Sequence, residues 1–184
     1  VEEVVKAAVD TFGSIDVIVN NGQAIVPSSP VEDTTYENML AAWESGTIGS
    51  LNYMQAAFPY MKEQGEGRII NFASATGMFG IAGQLAYGSN KEALRGLTKI
   101  AAKEWGQYGI CVNVVLPGAE SPAAKAWAEK FPEEYKKQVM LNPMHRFGDP
   151  EGDIAPVVAF LAGPDSCYYS GQSVIVDGAN SIMP

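Results

Sequence analysis

Residues 67–91 read GRIINFASATGMFGIAGQLAYGSNK, and the order of residue types in this stretch decides the fold. Arg68–Ala73 is a short apolar run, which predicts a buried strand. Met78–Gly83 reads as a glycine-rich loop. From Gln84 to Tyr108 small and apolar residues recur at helical spacing, which predicts a long, alanine-rich helix. Ser74 directly follows the strand. Tyr87 and Lys91 stand near the start of the helix, four residues apart. That spacing puts them on one face, with about 5–6 Å between their Cβ atoms.

The same alternation continues outward in both directions. Upstream, Val1–Phe12 has a helical apolar period closed by Gly13, and Asp16–Asn20 is a valine- and isoleucine-rich run that predicts a second buried strand. Thr35 to Gln64 predicts a long helix. Gly46 and Gly49 lie inside it and imply a kink or a close packing contact. Downstream, Ile110–Val115 predicts a strand stopped by Pro117-Gly118. Ala123–Met140 predicts two short helices split at Pro132, Pro150–Leu161 a helix with proline in its first turn, and Ser173–Val176 a last strand. Apolar strands with little alternation, separated by helices, predict an α/β fold with a doubly wound parallel sheet. Such sheets bind ligands beyond the carboxyl ends of their strands. That rule selects Asn20–Gln23, Ala73–Gly77 and Pro117–Glu120.

Composition narrows the function classes. Hydrophobic residues make up 47% of the 184 and charged residues 18%, which is globular rather than disordered. The net charge of −9 disfavours nucleic acid and anionic membrane as partners. No apolar run approaches the length of a membrane span. The two cysteines, Cys111 and Cys167, and the lone His145 have no zinc-ligand spacing, so no metal is expected. Two free thiols fit a reducing, cytoplasmic location.

Tyr87 and Lys91 carry the chemical signal. A phenol is a poor proton shuttle at its ordinary pKa of about 10, and a neighbouring ammonium favours the phenolate. Such a pair can exchange a proton with a substrate oxygen near neutral pH, and the Ser74 hydroxyl is placed to hydrogen-bond the same oxygen. With eight tyrosines in the chain, a Tyr-x-x-x-Lys pair arises by accident about 0.4 times per chain. Requiring a serine thirteen residues upstream lowers that to about 0.03.

Three segments together resemble the short-chain dehydrogenase/reductase family, with 3-oxoacyl-carrier-protein reductases as similar members. They are Gly67-Arg-Ile-Ile-Asn-Phe-Ala-Ser74, Tyr87-Gly-Ser-Asn-Lys91 and Val112-Asn-Val-Val-Leu-Pro-Gly118. Gly13-Ser-Ile-Asp-Val-Ile-Val-Asn-Asn21 and Ser170-Gly-Gln-Ser-Val-Ile-Val-Asp-Gly178 fit the same pattern. The resemblance implies a Rossmann-like, NAD- or NADP-dependent oxidoreductase that interconverts an alcohol and a carbonyl. It implies Tyr87 as general acid/base, Lys91 as the cation beside it and holder of the nicotinamide ribose, and Ser74 as the residue that orients the substrate oxygen. Asn21, Gly22, Pro117, Gly118 and Glu120 match positions beside the cofactor. It also implies a homodimer or homotetramer formed through the long helices, whose small and apolar residues lie on more than one face, with Ala101 on the face left for a partner.

The same resemblance marks what differs. The family opens with a strand and a glycine-rich turn that holds the pyrophosphate at a helix N-terminus. Residue 1 instead corresponds to the helix before the fourth strand. The chain is therefore expected to be a single partial domain, 1–184, lacking the first three strands, and inactive alone. The segment that separates NAD from NADP lies in that missing part. Gln23 stands where the family has a small residue. Glu120 stands where it has an apolar one, and either attracts the oxidised ring or turns outward. Gly46 falls where the family carries an asparagine that helps hold a water reaching the lysine; the Gly46 carbonyl can still serve such a water. Trp127, Phe131, Tyr135, Met140 and Met144 fall in the segment that covers the substrate, which suggests an apolar substrate or simple packing of two short helices. Two other readings remain open: a cofactor-free lyase of halohydrin-dehalogenase type, opposed by Lys91 where those proteins have arginine, and a non-catalytic binding homologue, opposed by the intact Ser74, Tyr87 and Lys91.

Overall fold

Alternate residues of the strand Gly67–Phe72 face opposite helical layers, and this division sets the architecture of the computed structural model, which describes residues 1–182. In chain order the elements are α1 (Glu2–Phe12), β1 (Val17–Asn20), α2 (Tyr36–Trp43), α3 (Gly49–Gln64) and β2 (Gly67–Phe72). They continue with α4 (Ala75–Phe79), α5 (Leu85–Trp105), β3 (Ile110–Pro117), α6 (Pro122–Lys130), α7 (Pro132–Leu141), α8 (Ala155–Ala162) and β4 (Ser173–Val176). The four strands form one sheet in the order β1-β2-β3-β4, and every pairing is parallel. Parallel neighbours need a crossover, and each crossover here contains at least one helix.

Ile69 faces the layer made by α1, α3 and α5, where it packs with Val5, Met54, Ala57, Met61, Ala101 and Val112. Ile70 faces the other way and packs with Val115 and Leu161, so α8 covers the opposite face. The expected α/β sheet with helices on both faces is thus present. Burial explains the continuous apolar runs: every residue of β3 from Ile110 to Leu116 is buried. A polar chain also crosses the core. Asn20 donates to Asn71 Oδ1 at 2.8 Å, and Asn71 donates to Thr98 Oγ1 at 2.9 Å, which ties β1 to β2 and β2 to α5.

Three local expectations need correction. The β1 strand, expected to be buried, exposes Val17 and Val19 and buries only Ile18. Ile18 joins the core on the side of α1 and α3, whereas the opposite face of β1, with Val17 and Val19, is left open among the described residues. The region 78–83, read as loop, begins inside α4. There Ser74 caps the helix by accepting from the Thr76 N–H, and a cap serine makes a one-turn helix that apolar periodicity is too short to reveal. Ala101, read as part of an outer face of the long helix, is instead in the core. The expected irregularity at Gly46 and Gly49 is present as a π turn, Glu44–Ile48, between α2 and α3.

Candidate active site

The carboxyl ends of β1, β2 and β3 converge on a cavity of about 460 Å³. Asn21, Gln23, Phe72, Ala73, Gln84, Tyr87, Lys91 and Pro117 line it, with Ile25 and Val26 on the loop side. Three segments distant in sequence, selected by the strand-end rule, therefore meet in space. Each arrives by its own local logic. The loop after β1 brings Asn21 and Gln23. The end of β2 brings Phe72 and Ala73, and β3 ends at Pro117, whose following Gly118 hydrogen-bonds back to Val176 of β4.

Tyr87 and Lys91 lie in the first two turns of α5, and the Lys91 ammonium sits 5.7 Å from the centre of the Tyr87 ring. Lys91 is 5% exposed and donates to the Phe72 carbonyl at 2.5 Å. The helix is thereby pinned to the strand end two residues before Ser74. Burial pushes the Lys91 ammonium down from its ordinary value to about 8. A cation held in this way is close to its titration point in the physiological range, with no carboxylate among the cavity residues to neutralise it.

Ser74 takes its place from α4. Its hydroxyl oxygen accepts from the Thr76 N–H at 3.2 Å, which leaves the hydroxyl proton free to be donated. The α4 helix in turn lies directly on α5. A Cβ on Gly77 would come within 2.9 Å of the Gly88 carbonyl and the Glu92 N–H nitrogen, so only glycine permits this approach. The approach brings Gly77 and Thr76 against Gly88 and Glu92 of α5; Ser74 lies next to the cavity residue Ala73 but is not itself among the residues that line the cavity.

The remaining candidates divide. Asn21 and Pro117 line the cavity with Tyr87 and Lys91. Gly22 lies beside Asn21 but lines the neighbouring hollow under β1, with Ser45, Gly49 and Tyr53. Gly118 packs against Asp177, whose Cβ leaves no room for a side chain at 118. Glu120 turns to the helices that follow it. It accepts from the Tyr135 hydroxyl at 2.6 Å and lies 3.8 Å from the Lys125 ammonium, and the bond to the carboxylate raises the Tyr135 phenol above its ordinary value. Trp127 and Phe147 pack on either side of Tyr135, while Phe131, Met140 and Met144 stay exposed. Both carboxamide atoms of Gln23 are buried without a protein partner.

Sequence reasoning passed over three contributors. The Phe72 carbonyl is a backbone atom and gives no residue-type signal. Gln84 donates to Ser28 at 2.8 Å and closes the cavity wall. Asn90 is fully buried beside Lys91; an asparagine inside a helix, opposite two glycines in another, is the signal that could have found it.

The arrangement suits a nicotinamide nucleotide. The cavity sits at strand ends, where this architecture takes nucleotides. Its wall holds a buried ammonium, a phenol and, in Gln23, a carboxamide without a protein partner.

Comparison with known proteins agrees. The family described as enoyl-(acyl carrier protein) reductase matches residues 1–179. A 12alpha-hydroxysteroid dehydrogenase of Clostridium sp. (strain ATCC 29733 / VPI C48-50) is 40% identical over 184 residues, covering 100% of this chain and 71% of the relative. A 3-oxoacyl-(acyl-carrier-protein) reductase of Thermotoga maritima is 37% identical over 180 residues, 97% of this chain and 71% of that protein. Among solved structures, ElxO with NADP bound superposes with a TM-score of 0.90 at 28% identity, covering 97% of this chain and 72% of that one.

Proposed function

The chain belongs to the short-chain dehydrogenase/reductase family, and from that premise we propose that Tyr87, Lys91 and Ser74 carry out its reaction. The protein is an NAD(P)-dependent oxidoreductase that interconverts an alcohol and a carbonyl. The observation that carries the assignment is the meeting of Tyr87 and Lys91 in one cavity at the strand ends, with Lys91 buried and anchored on Phe72.

When bound, the nicotinamide supplies or accepts the hydride, and everything else falls to the protein. Tyr87 gives its phenolic proton to the oxygen of a carbonyl substrate, or takes the proton of an alcohol in the reverse direction. Lys91 holds its charge 5.7 Å from the centre of the Tyr87 ring and presents N–H groups toward the ribose position. Ser74 donates its free hydroxyl proton to the same substrate oxygen and holds the reacting carbon in place. Asn21 and Pro117 flank the nicotinamide end. Glu120 anchors the covering helices through Tyr135.

The test is Tyr87→Phe, made in a protein that also carries the N-terminal part present in the relatives. Turnover should fall by about 10²-fold or more, because the proton-transferring hydroxyl is gone. Affinity for the nucleotide, followed by fluorescence titration, should stay nearly unchanged. Wild-type turnover in this variant would falsify the role of Tyr87.

For the substrate we propose a secondary alcohol, or the matching ketone, on a bulky and largely apolar skeleton. The exposed Phe131, Met140 and Met144 of the covering segment support this, as does the 40% identical hydroxysteroid dehydrogenase. Hydroxysteroids and 3-oxoacyl thioesters should be compared directly. A higher kcat/KM on the thioesters would overturn the proposal for a compact polycyclic skeleton. We further propose a cytoplasmic homodimer or homotetramer, with exposed Leu40, Ile48 and Ile100 of the long helices in its interface.

A further inference from the structure

The π turn Glu44–Ile48 is bonded to a side chain from another helix. A π turn closes its ring one residue later than an α turn. Within it, the Thr47 N–H donates to Asn90 Oδ1 at 2.9 Å. The Thr47 hydroxyl adds one further bond across the same gap, its single proton shared between two acceptors: Oγ1 lies 2.8 Å from Asn90 Oδ1 and 3.0 Å from the Asn90 carbonyl oxygen. Asn90 is fully buried. Its carboxamide fills the space directly over Gly46, where a Cβ would meet Asn90 Nδ2 at 2.2 Å and Oδ1 at 2.7 Å. Glycine at 46 and asparagine at 90 are therefore a complementary pair: the carboxamide enters only because the other helix has no side chain there.

The turn passes the constraint on. Ser45, within it, donates to the Ala41 carbonyl at 2.5 Å and accepts from the Ala24 N–H at 3.0 Å. Ala24 adjoins Gln23 and belongs to the loop that forms the cavity wall facing Tyr87 and Lys91. On the other side Asn90 adjoins Lys91 in α5. A continuous set of bonds thus runs from the helix that carries Lys91, through Thr47 and the π turn, to the loop opposite.

We propose that Asn90, with Gly46 and Ser45, is a positioning device that fixes the width of the cavity between the Lys91 helix and the loop 21–24. Asn90 acts through Thr47 and Ser45 and touches neither substrate nor nucleotide in this scheme. The proposal rests on the assignment of the cavity above. Its first two tests are read on the protein without nucleotide and so do not share the fate of that assignment.

The first test is a melting cycle. Gly46→Ala should lower the melting temperature by several degrees, since its methyl group collides with the carboxamide. Asn90→Ala removes the carboxamide and should lower it too. The double variant should melt higher than the sum of the two losses predicts, because one change relieves the other. Additive losses would overturn the complementary pair. The second test is amide hydrogen exchange. Asn90→Ala should speed exchange of both Thr47 and Ala24, whereas Ser45→Ala should speed Ala24 and leave Thr47 protected. Unchanged exchange at Ala24 in Asn90→Ala would break the chain of transmission. The third test uses NADH and NADPH as probes. Ser45→Ala, the milder change, should raise the Kd and KM for the preferred nucleotide about fivefold or more and lower kcat less. An unchanged Kd there would refute the role in setting the cavity.

Discussion

Lys91 shows how function and stability oppose each other at a single residue. Its folded-state pKa, about 8, lies below the ordinary lysine value of 10.5 because burial disfavours the charged form. Between these two values the unfolded chain binds more protons than the folded one, so stability rises with pH across that window. Below about pH 8 both states are protonated, and the folded state bears the full penalty of burying the charge. Lys91→Met should therefore stabilise the fold at pH 7. The pKa difference alone corresponds to about 3 kcal/mol, and losing the partner of the Phe72 carbonyl returns about 1–2 kcal/mol. A net gain of about 1–2 kcal/mol at pH 7, shrinking toward pH 10.5, is expected from urea titrations at several pH values. Activity should be lost in the same variant. A variant less stable than wild type at pH 7 would mean that the ammonium is better solvated than its burial implies. That Tyr87 and Lys91 share one face of α5 was readable from their spacing. The anchoring carbonyl of Phe72 was not, since backbone atoms carry no residue code.

Among the elements, β2 is the one that the others depend on. It gives Ile69 to one helix layer, Ile70 to the other, and Asn71 to a buried polar chain. Asn71 is completely buried, accepts from Asn20 and donates to Thr98. Asn71→Leu keeps the volume but leaves the Asn20 amide without its acceptor. A loss of about 2–4 kcal/mol is expected, combining the lost bonds with the desolvation of their partners. Chemical denaturation with an unchanged m-value would measure it. A loss below about 1 kcal/mol would show that water replaces the asparagine. Hydrophobic periodicity located β2, β4, α1 and α5 closely; β2 and α5 carry enough buried side chains to impose their period, whereas α1 buries only Val5 and β4 is half-buried throughout. It missed α4, a single turn held by the Ser74 cap and by contact with α5. It also gave β1 two buried faces, because valine and isoleucine report strand propensity and not how many layers cover the strand.

At the scale of the molecule, the long helices have more apolar surface than the sheet uses. Ile100 is 61% exposed on α5, while Ala101 beside it is in the core. Ile100→Glu is thus the clean probe of assembly, since a charge at Ala101 would disrupt the monomer itself. Light scattering should report a smaller particle for Ile100→Glu, at unchanged circular dichroism, where a desolvated glutamate would face the partner. An unchanged mass would place the interface elsewhere. The chain spans 71% of the length of the hydroxysteroid dehydrogenase it matches, and the described part already contains the cavity with Tyr87 and Lys91. The sequence by itself determined the fold class, the order of the strands and of the longer helices, the three strand ends that meet at the cavity, and the pairing of Tyr87 with Lys91 on one helix face. Each of these is written in local periodicity or in a fixed spacing along one helix. Only the tertiary structure decided that Glu120 bonds to Tyr135 of α7 and that Ala101 belongs to the core. It also showed that the gap left by Gly46 is filled by Asn90, 44 positions away in sequence. These are contacts between segments that meet only after the sheet has formed. Their geometry depends on how helices pack across it, which no local pattern encodes.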